Sequence, residues 1–236
     1  MDFQLSDDQR AIAEMAGSLF GDLCSDDRLR AFTASGDSWM ADLWAKCVET
    51  GLHALAIPEA AGGSGLGMTE LMLVLEAQGR GLGMVPLWRH QLAAATLDRF
   101  GAAAHQALID QAATGEALLT LTLDGLADST GVALEARPEG DGFALHGRVP
   151  ALPLGMESAA ALLPAHTPDG LCLVLLRLDA EGLDKVAGVF THGEGVAELQ
   201  CRGALLSRAD VLPAAALAWL EPRVIAALAA LQLGVS

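Results

Sequence analysis

Glu221 is the residue whose type and place most suggest chemistry. On a helical wheel it falls with Leu217, Val224 and Leu228, on the apolar side of the last helical segment. Charged groups are rarely buried unpaired, and burial would raise this carboxyl toward the range of a useful general base. A second reading stays open, in which Pro222 starts the regular helix and Glu221 is an exposed residue at its entrance. The six histidines, His53, His90, His105, His146, His166 and His192, are dispersed, with no HExxH pair. Cys24, Cys47, Cys172 and Cys201 show no CxxC spacing, so no metal site is expected. They read as small buried hydrophobes in a reducing, cytoplasmic setting. The glycine-rich run Gly62–Gly67 lacks the GK[ST] ending of a phosphate loop and reads as a tight turn between helices. There is no GxSxG nucleophile elbow.

These side chains must be positioned by a chain of 236 residues, 52% of them hydrophobic and 19% charged, enough to build a buried core. Fourteen basic residues against 30 acidic ones leave a net charge of −16. A surface that acidic repels nucleic acid and anionic membrane. Aromatic residues are 4% of the chain and tyrosine is absent, which argues against base-stacking platforms. The first residues, Met1-Asp2-Phe3-Gln4, show neither the basic nor the apolar region of a signal peptide. Ala214–Val235 is the greasiest stretch, but Glu221, Pro222 and Arg223 interrupt it, so a buried helix is expected there rather than a membrane span.

The periodicity divides the chain into helices, then strands, then one helix. Ser6 caps a first helix, with Asp7 and Asp8 in its first turn and Gln9 completing a capping box. Ser25 to Ser38 is polar and reads mainly as a loop. Trp39 to Val48 carries a second apolar stripe that Gly51 ends; further helices are expected at Met68–Gly79, from Pro86 to near Gly101, and at Ala103–Ala113. After Glu116 the period becomes two. Leu119–Leu123 reads as a half-buried strand, with more strands at Val132–Arg137, Phe143–Arg148, Leu171–Leu178, Val196–Cys201 and Ala204–Val211. Leu217, Leu220, Val224, Leu228, Leu231 and Val235 restore the helical period. The fold class is α+β: a helical domain over 1–115, a β-barrel or sandwich over 116–212, and a helix over 213–236.

Several runs, in this order and spacing, resemble the acyl-CoA dehydrogenase family of flavoenzymes. They are Trp44, Glu49-Thr50-Gly51-Leu52, Ile57-Pro58-Glu59, Gly62–Gly67, Thr69-Glu70-Leu71, Leu75-Glu76, Gly79-Arg80 and Pro86-Leu87, followed by Gly115-Glu116. The resemblance implies a helical domain, a middle β-domain and the first helix of a C-terminal bundle whose remainder lies outside this sequence. It implies FAD, an acyl-CoA thioester oxidised to the 2-enoyl-CoA, and an electron-transfer flavoprotein as acceptor. Glu221-Pro222-Arg223-Val224-Ile225 is similar to the place where one branch of the family, the isovaleryl-type enzymes, keeps its catalytic base. Thr120 and Thr122 are the implied flavin contacts, and Ser129 lies on the implied thioester side.

The chain also departs from the family pattern. Leu123-Asp124 follows Thr122 where the family has Glu, and Asp128-Ser129 replaces Gly-Ser-Asp. Ala151-Leu152-Pro153 replaces the Trp-Ile-Thr that packs and hydrogen-bonds the flavin. The expectation is therefore one subunit of a heteromer, such as those of bacterial steroid side-chain degradation, in which unlike family members share an active site. The alternatives are a non-catalytic structural or regulatory partner and a homo-oligomeric enzyme with a divergent flavin site. The chain is either completed by a partner or one part of a longer sequence.

Overall fold

The computed structural model describes residues 4–126 and 131–236. Six α-helices come first: α1 (Asp7–Leu23), α2 (Asp26–Ser35), α3 (Ala41–Glu49), α4 (Met68–Gly81), α5 (Leu87–Phe100) and α6 (Gln106–Ala113). Seven strands follow: β1 (Leu119–Leu121), β2 (Leu134–Glu139), β3 (Gly142–Pro153), β4 (Ala160–Thr167), β5 (Gly170–Arg177), β6 (Leu183–Val189) and β7 (Gly195–Leu206). Helix α7 (Ala214–Val235) comes last.

The first helix has the capping box its sequence predicts: Gln9 N–H donates to Ser6 Oγ, and Ser6 N–H to Gln9 Oε1. Gln9 also reaches across to α4, donating to Glu70 Oε1 at 2.8 Å, while Glu70 Oε2 accepts the Gly67 amide at the α4 N-terminus. The Gln9 side chain thus caps α1 and ties it to α4.

Residues 26–35, expected as loop, form α2. Asp26 and Asp27 favour its N-terminus and pair with Arg30, and Gly36 ends it at φ 74°. The segment is polar nearly all round, which hid the helical period; Leu29 and Phe32 still lean inward.

The strands form one curled mixed sheet, ordered β1-β4-β2-β3-β7-β6. Strands β1 and β2 both pair parallel with β4, β1 along Ala160–Leu162 and β2 at His166. The hairpin strand β5 pairs antiparallel with β4 over its whole length.

Three expectations are corrected. β1 is short and buried throughout rather than half-buried. A single long β7 replaces two strands, and Arg208–Asp210 is a 3-10 turn rather than strand. β4 and β6 carry no readable period: β4 is buried at six successive positions, and β6 is an exposed edge.

Helix α7 is long and apolar enough to cross a membrane by length and composition alone, but in the folded chain it lies along α4. A Cβ on Gly79 would overlap the Leu231 carbonyl oxygen, and one on Gly234 would overlap the Glu76 carbonyl oxygen. The two helices are therefore packed backbone to backbone. Small residues face α4 for that reason. The buried stripe is Ala216, Leu220, Val224, Ala227 and Ala230, while Leu228 and Val235, expected inside, are exposed.

Candidate functional site

The same rotation decides the setting of Glu221, which is exposed. It is not on the buried face, so the burial expected of it is absent from this chain. Nor is it at a helix entrance, because α7 starts two turns earlier and Pro222 lies inside it. Proline removes a backbone donor and disturbs the preceding turn. Arg223 reinforces that turn, donating from Nη1 to the Trp219 carbonyl at 2.8 Å with its guanidinium 3.9 Å from the Trp219 ring centre.

Glu221 heads a stripe that continues through Ile225, Leu228, Gln232 and Val235, all exposed and spaced by three or four residues. At the helical rise of ~1.5 Å per residue, Leu228 lies about 10 Å and Val235 about 20 Å along the axis from Glu221. The far half of that stripe is one wall of a cavity of about 740 Å³. Leu29 and Phe32 of α2, the α4–α5 turn at Leu82–Val85, Trp88 and Phe190 contribute most of its mainly apolar lining, with His192 beside Glu194 at its edge. This is the size and character of a small-molecule site.

The turn is held firmly. Leu82 adopts φ 53°, and buried Gln78 donates from Nε2 to the Gly83 and Val85 carbonyls at 2.9 and 2.7 Å. At the other side of the cavity, Arg89 of α5 meets Glu194 in the β6–β7 turn at 2.7 Å. The two residues are more than 100 positions apart, and no spacing signal links them. Burial lowers the Arg89 pKa, opposed by Glu194 and then by Asp124.

Thr120 is fully buried and its hydroxyl donates to the Pro153 carbonyl at 2.7 Å, so in this chain it pins β1 to β3. Thr122 lines a second cavity, of about 180 Å³, between the end of β1 and the facing parts of β2 and β3. Its Oγ1 accepts the Asp124 amide at 3.2 Å. Ser129 and Asp128 lie outside the described residues.

Strand β1 is anchored to the helices by His90, which is wholly buried. The Leu119 amide donates to its Nδ1 at 3.2 Å, which places the ring proton on Nε2, where it meets the Ala112 carbonyl at 3.0 Å. Burial pushes the His90 pKa down to about 3, with a further contribution from His53. His53 stacks on His90 at 6.1 Å, Trp44 packs edge-on against both, and burial lowers the His53 pKa as well. These rings are neutral structural joints.

The four cysteines are buried; burial raises Cys47 to about 12 and Cys201 to about 11, so neither is a poised nucleophile. Among the described residues no cluster of three metal-binding side chains occurs. The Gly62–Gly67 turn folds back on Ala54–Ile57. Its Ser64, Gly65 and Leu66 amides donate to the Ala54, Ile57 and Leu55 carbonyls, leaving them unable to cradle phosphate.

Residues 6–116 match the acyl-CoA dehydrogenase N-terminal domain. The chain is 29% identical to the acyl-CoA dehydrogenase FadE27 of Mycobacterium tuberculosis, covering 100% of this chain and 63% of that protein. The structure of the Tcur3481–Tcur3483 steroid ACAD (G363A variant) superposes with a TM-score of 0.88 at 34% identity, over 97% of this chain and 63% of that one. The ChsE4–ChsE5 complex of M. tuberculosis gives 0.92 at 28% identity, over 99% and 65%. The chain thus spans less than two thirds of the length of these relatives. Its helical start, curled mixed sheet and closing helix follow their fold throughout, and its residues 6–116 belong to the acyl-CoA dehydrogenase N-terminal domain family.

Proposed function

We propose that this chain is one subunit of a heteromeric acyl-CoA dehydrogenase acting on a bulky, steroid-class acyl-CoA, with Glu221 as the base that removes the α-proton. The observation that carries the reading is the α7 stripe, with a carboxylate at one end and a large apolar cavity along the other. An acyl group whose α-carbon lies at Glu221 would place its body in that cavity. The two structural relatives named in connection with a steroid substrate or a two-component complex are the basis for the substrate class and for the partner. An exposed carboxylate becomes a stronger base only when water is excluded from it, which a partner seated over α7 would do.

The residues present do not make a flavin site by themselves. Thr120 has its hydroxyl engaged by Pro153, and Pro153 has no N–H to offer. Leu152, which stands within the family's Trp-Ile-Thr segment, is buried in the sheet core and turned away from solvent. Thr122 remains as one hydroxyl beside a cavity of about 180 Å³. FAD would then be held mainly by the partner subunit and reoxidised by an electron-transfer flavoprotein. The same losses favour a second reading, a non-catalytic structural or regulatory partner.

Glu221→Gln separates the two. Loss of a general base lowers turnover by roughly 100- to 10,000-fold. On the first reading the purified complex keeps its composition and flavin content and loses dehydrogenase turnover on that scale. Full activity in the variant complex would establish the second reading instead.

A further inference from the structure

The ion pair in the cavity wall has no counterpart in the sequence pattern. Resting on the proposed acyl-CoA reading, we infer that Arg89, held by Glu194, recognises a neutral oxygen, a ketone or hydroxyl, at the end of the acyl group farthest from the thioester.

The pair is mostly buried, with side-chain exposures of 17% and 16%. Desolvating two charges is costly, and a clip between α5 and the β6–β7 turn could be made more simply by apolar contact. The arrangement makes sense if the guanidinium is needed inside the cavity. Arg89 has five N–H donors, and among the described residues its hydrogen-bond acceptor is Glu194 Oε1. Trp88 covers one face of the guanidinium, 4.5 Å from its ring centre, and fixes the plane in which the other donors point. Both residues line the cavity, together with Gln232 on α7.

Charge decides which oxygen is accepted. Glu194 already neutralises Arg89, and Asp124 adds a second negative field. A carboxylate brought there would meet two like charges in a poorly solvated pocket. A ketone or hydroxyl accepts a charge-assisted hydrogen bond with no such penalty. The spacing also fits: Gln232 lies about 16 Å along α7 from Glu221, the reach of a rigid fused-ring body rather than a short acyl chain.

The test uses the chain purified with any partner it carries. Three CoA thioesters of one fused-ring steroid acid are titrated by calorimetry. One carries a ketone on the ring farthest from the thioester, one lacks that oxygen, and one carries a carboxylate there. The ketone thioester is expected to bind roughly 10-fold tighter than the deoxy compound, the range for a hydrogen bond to a charged donor. In Arg89→Met/Glu194→Gln, which removes both charges together, the ratio of ketone to deoxy affinity falls to about one. Equal binding of the ketone and deoxy thioesters to the unmodified protein overturns the inference. Tightest binding by the carboxylate also overturns it, and neither outcome depends on the variant folding. In both cases the acyl-CoA reading still stands; if none of the three thioesters binds, that reading falls as well.

Discussion

His90 shows how much one side chain can be asked to do. It joins α5 to the first residue of β1 and to the end of α6, all without solvent. Its pKa in the folded protein, about 3, lies far below the ordinary value of 6.5. The unfolded chain therefore takes up the proton first as pH falls. Stability from this group is complete above about pH 6.5 and declines as pH drops toward the folded value, at up to ~1.4 kcal/mol per pH unit. His53, lowered in the same direction by burial, adds to the slope. Urea denaturation should give a clearly lower midpoint at about pH 5 than at about pH 7. In His90→Gln, which keeps an amide donor and acceptor but does not titrate, the slope should flatten. Glu221, exposed, should tolerate Glu221→Gln with a stability change within about 0.5 kcal/mol, so loss of turnover there would report chemistry rather than folding.

Helix α7 owes its orientation to its contact with α4, not to its own amphipathicity. The leucine periodicity nominates one face, yet the face that packs is the one carrying Ala216, Ala227, Ala230 and Gly234. Close backbone approach outweighs the burial of a few leucines because it brings the two backbones into direct contact at Gly79 and Gly234. Gly79→Ala and Gly234→Ala should each destabilise the chain by about 1–3 kcal/mol, since the added methyl must push the helices apart. A thermal melt of each variant checks this, with Gly17→Ala as the control, because a Cβ there meets nothing within 4 Å. Moving α7 also moves the wall of the large cavity, so ligand binding and stability should fall together in these variants.

At the scale of the molecule, the net charge of −16 is spread over a surface whose ion pairs are mostly exposed and individually weak. Self-repulsion should therefore outweigh pairing. The melting temperature should rise as salt is raised from about 10 mM to about 150 mM, where the screening length contracts from about 30 Å to about 8 Å. A fall over that range would mean that specific surface pairs dominate. The only cationic group deep in the described cavity wall is Arg89, which gives that pocket a polarity the net charge conceals.

The sequence by itself determined the local devices and their order. The Ser6–Gln9 capping box, the glycine stops, the change of period after Glu116 and the similarity over Trp44–Leu87 all depend on residues near one another in the chain. Helix α2 was also within reach, through Asp26-Asp27 and Gly36, had its polar surface not masked it. Strand β4 was not: Ala160–Thr167 contains Pro164 and two alanines at its start, and becomes strand because β1, β2 and β5 pair with it. The tertiary structure alone decided that Glu221 is exposed, that Thr120 pins β1 to β3, and that Arg89 meets Glu194 in a cavity wall. Each of these depends on which faces pack, and packing is settled by shape and close approach between distant segments, for which neither periodicity nor motif spacing carries a signal.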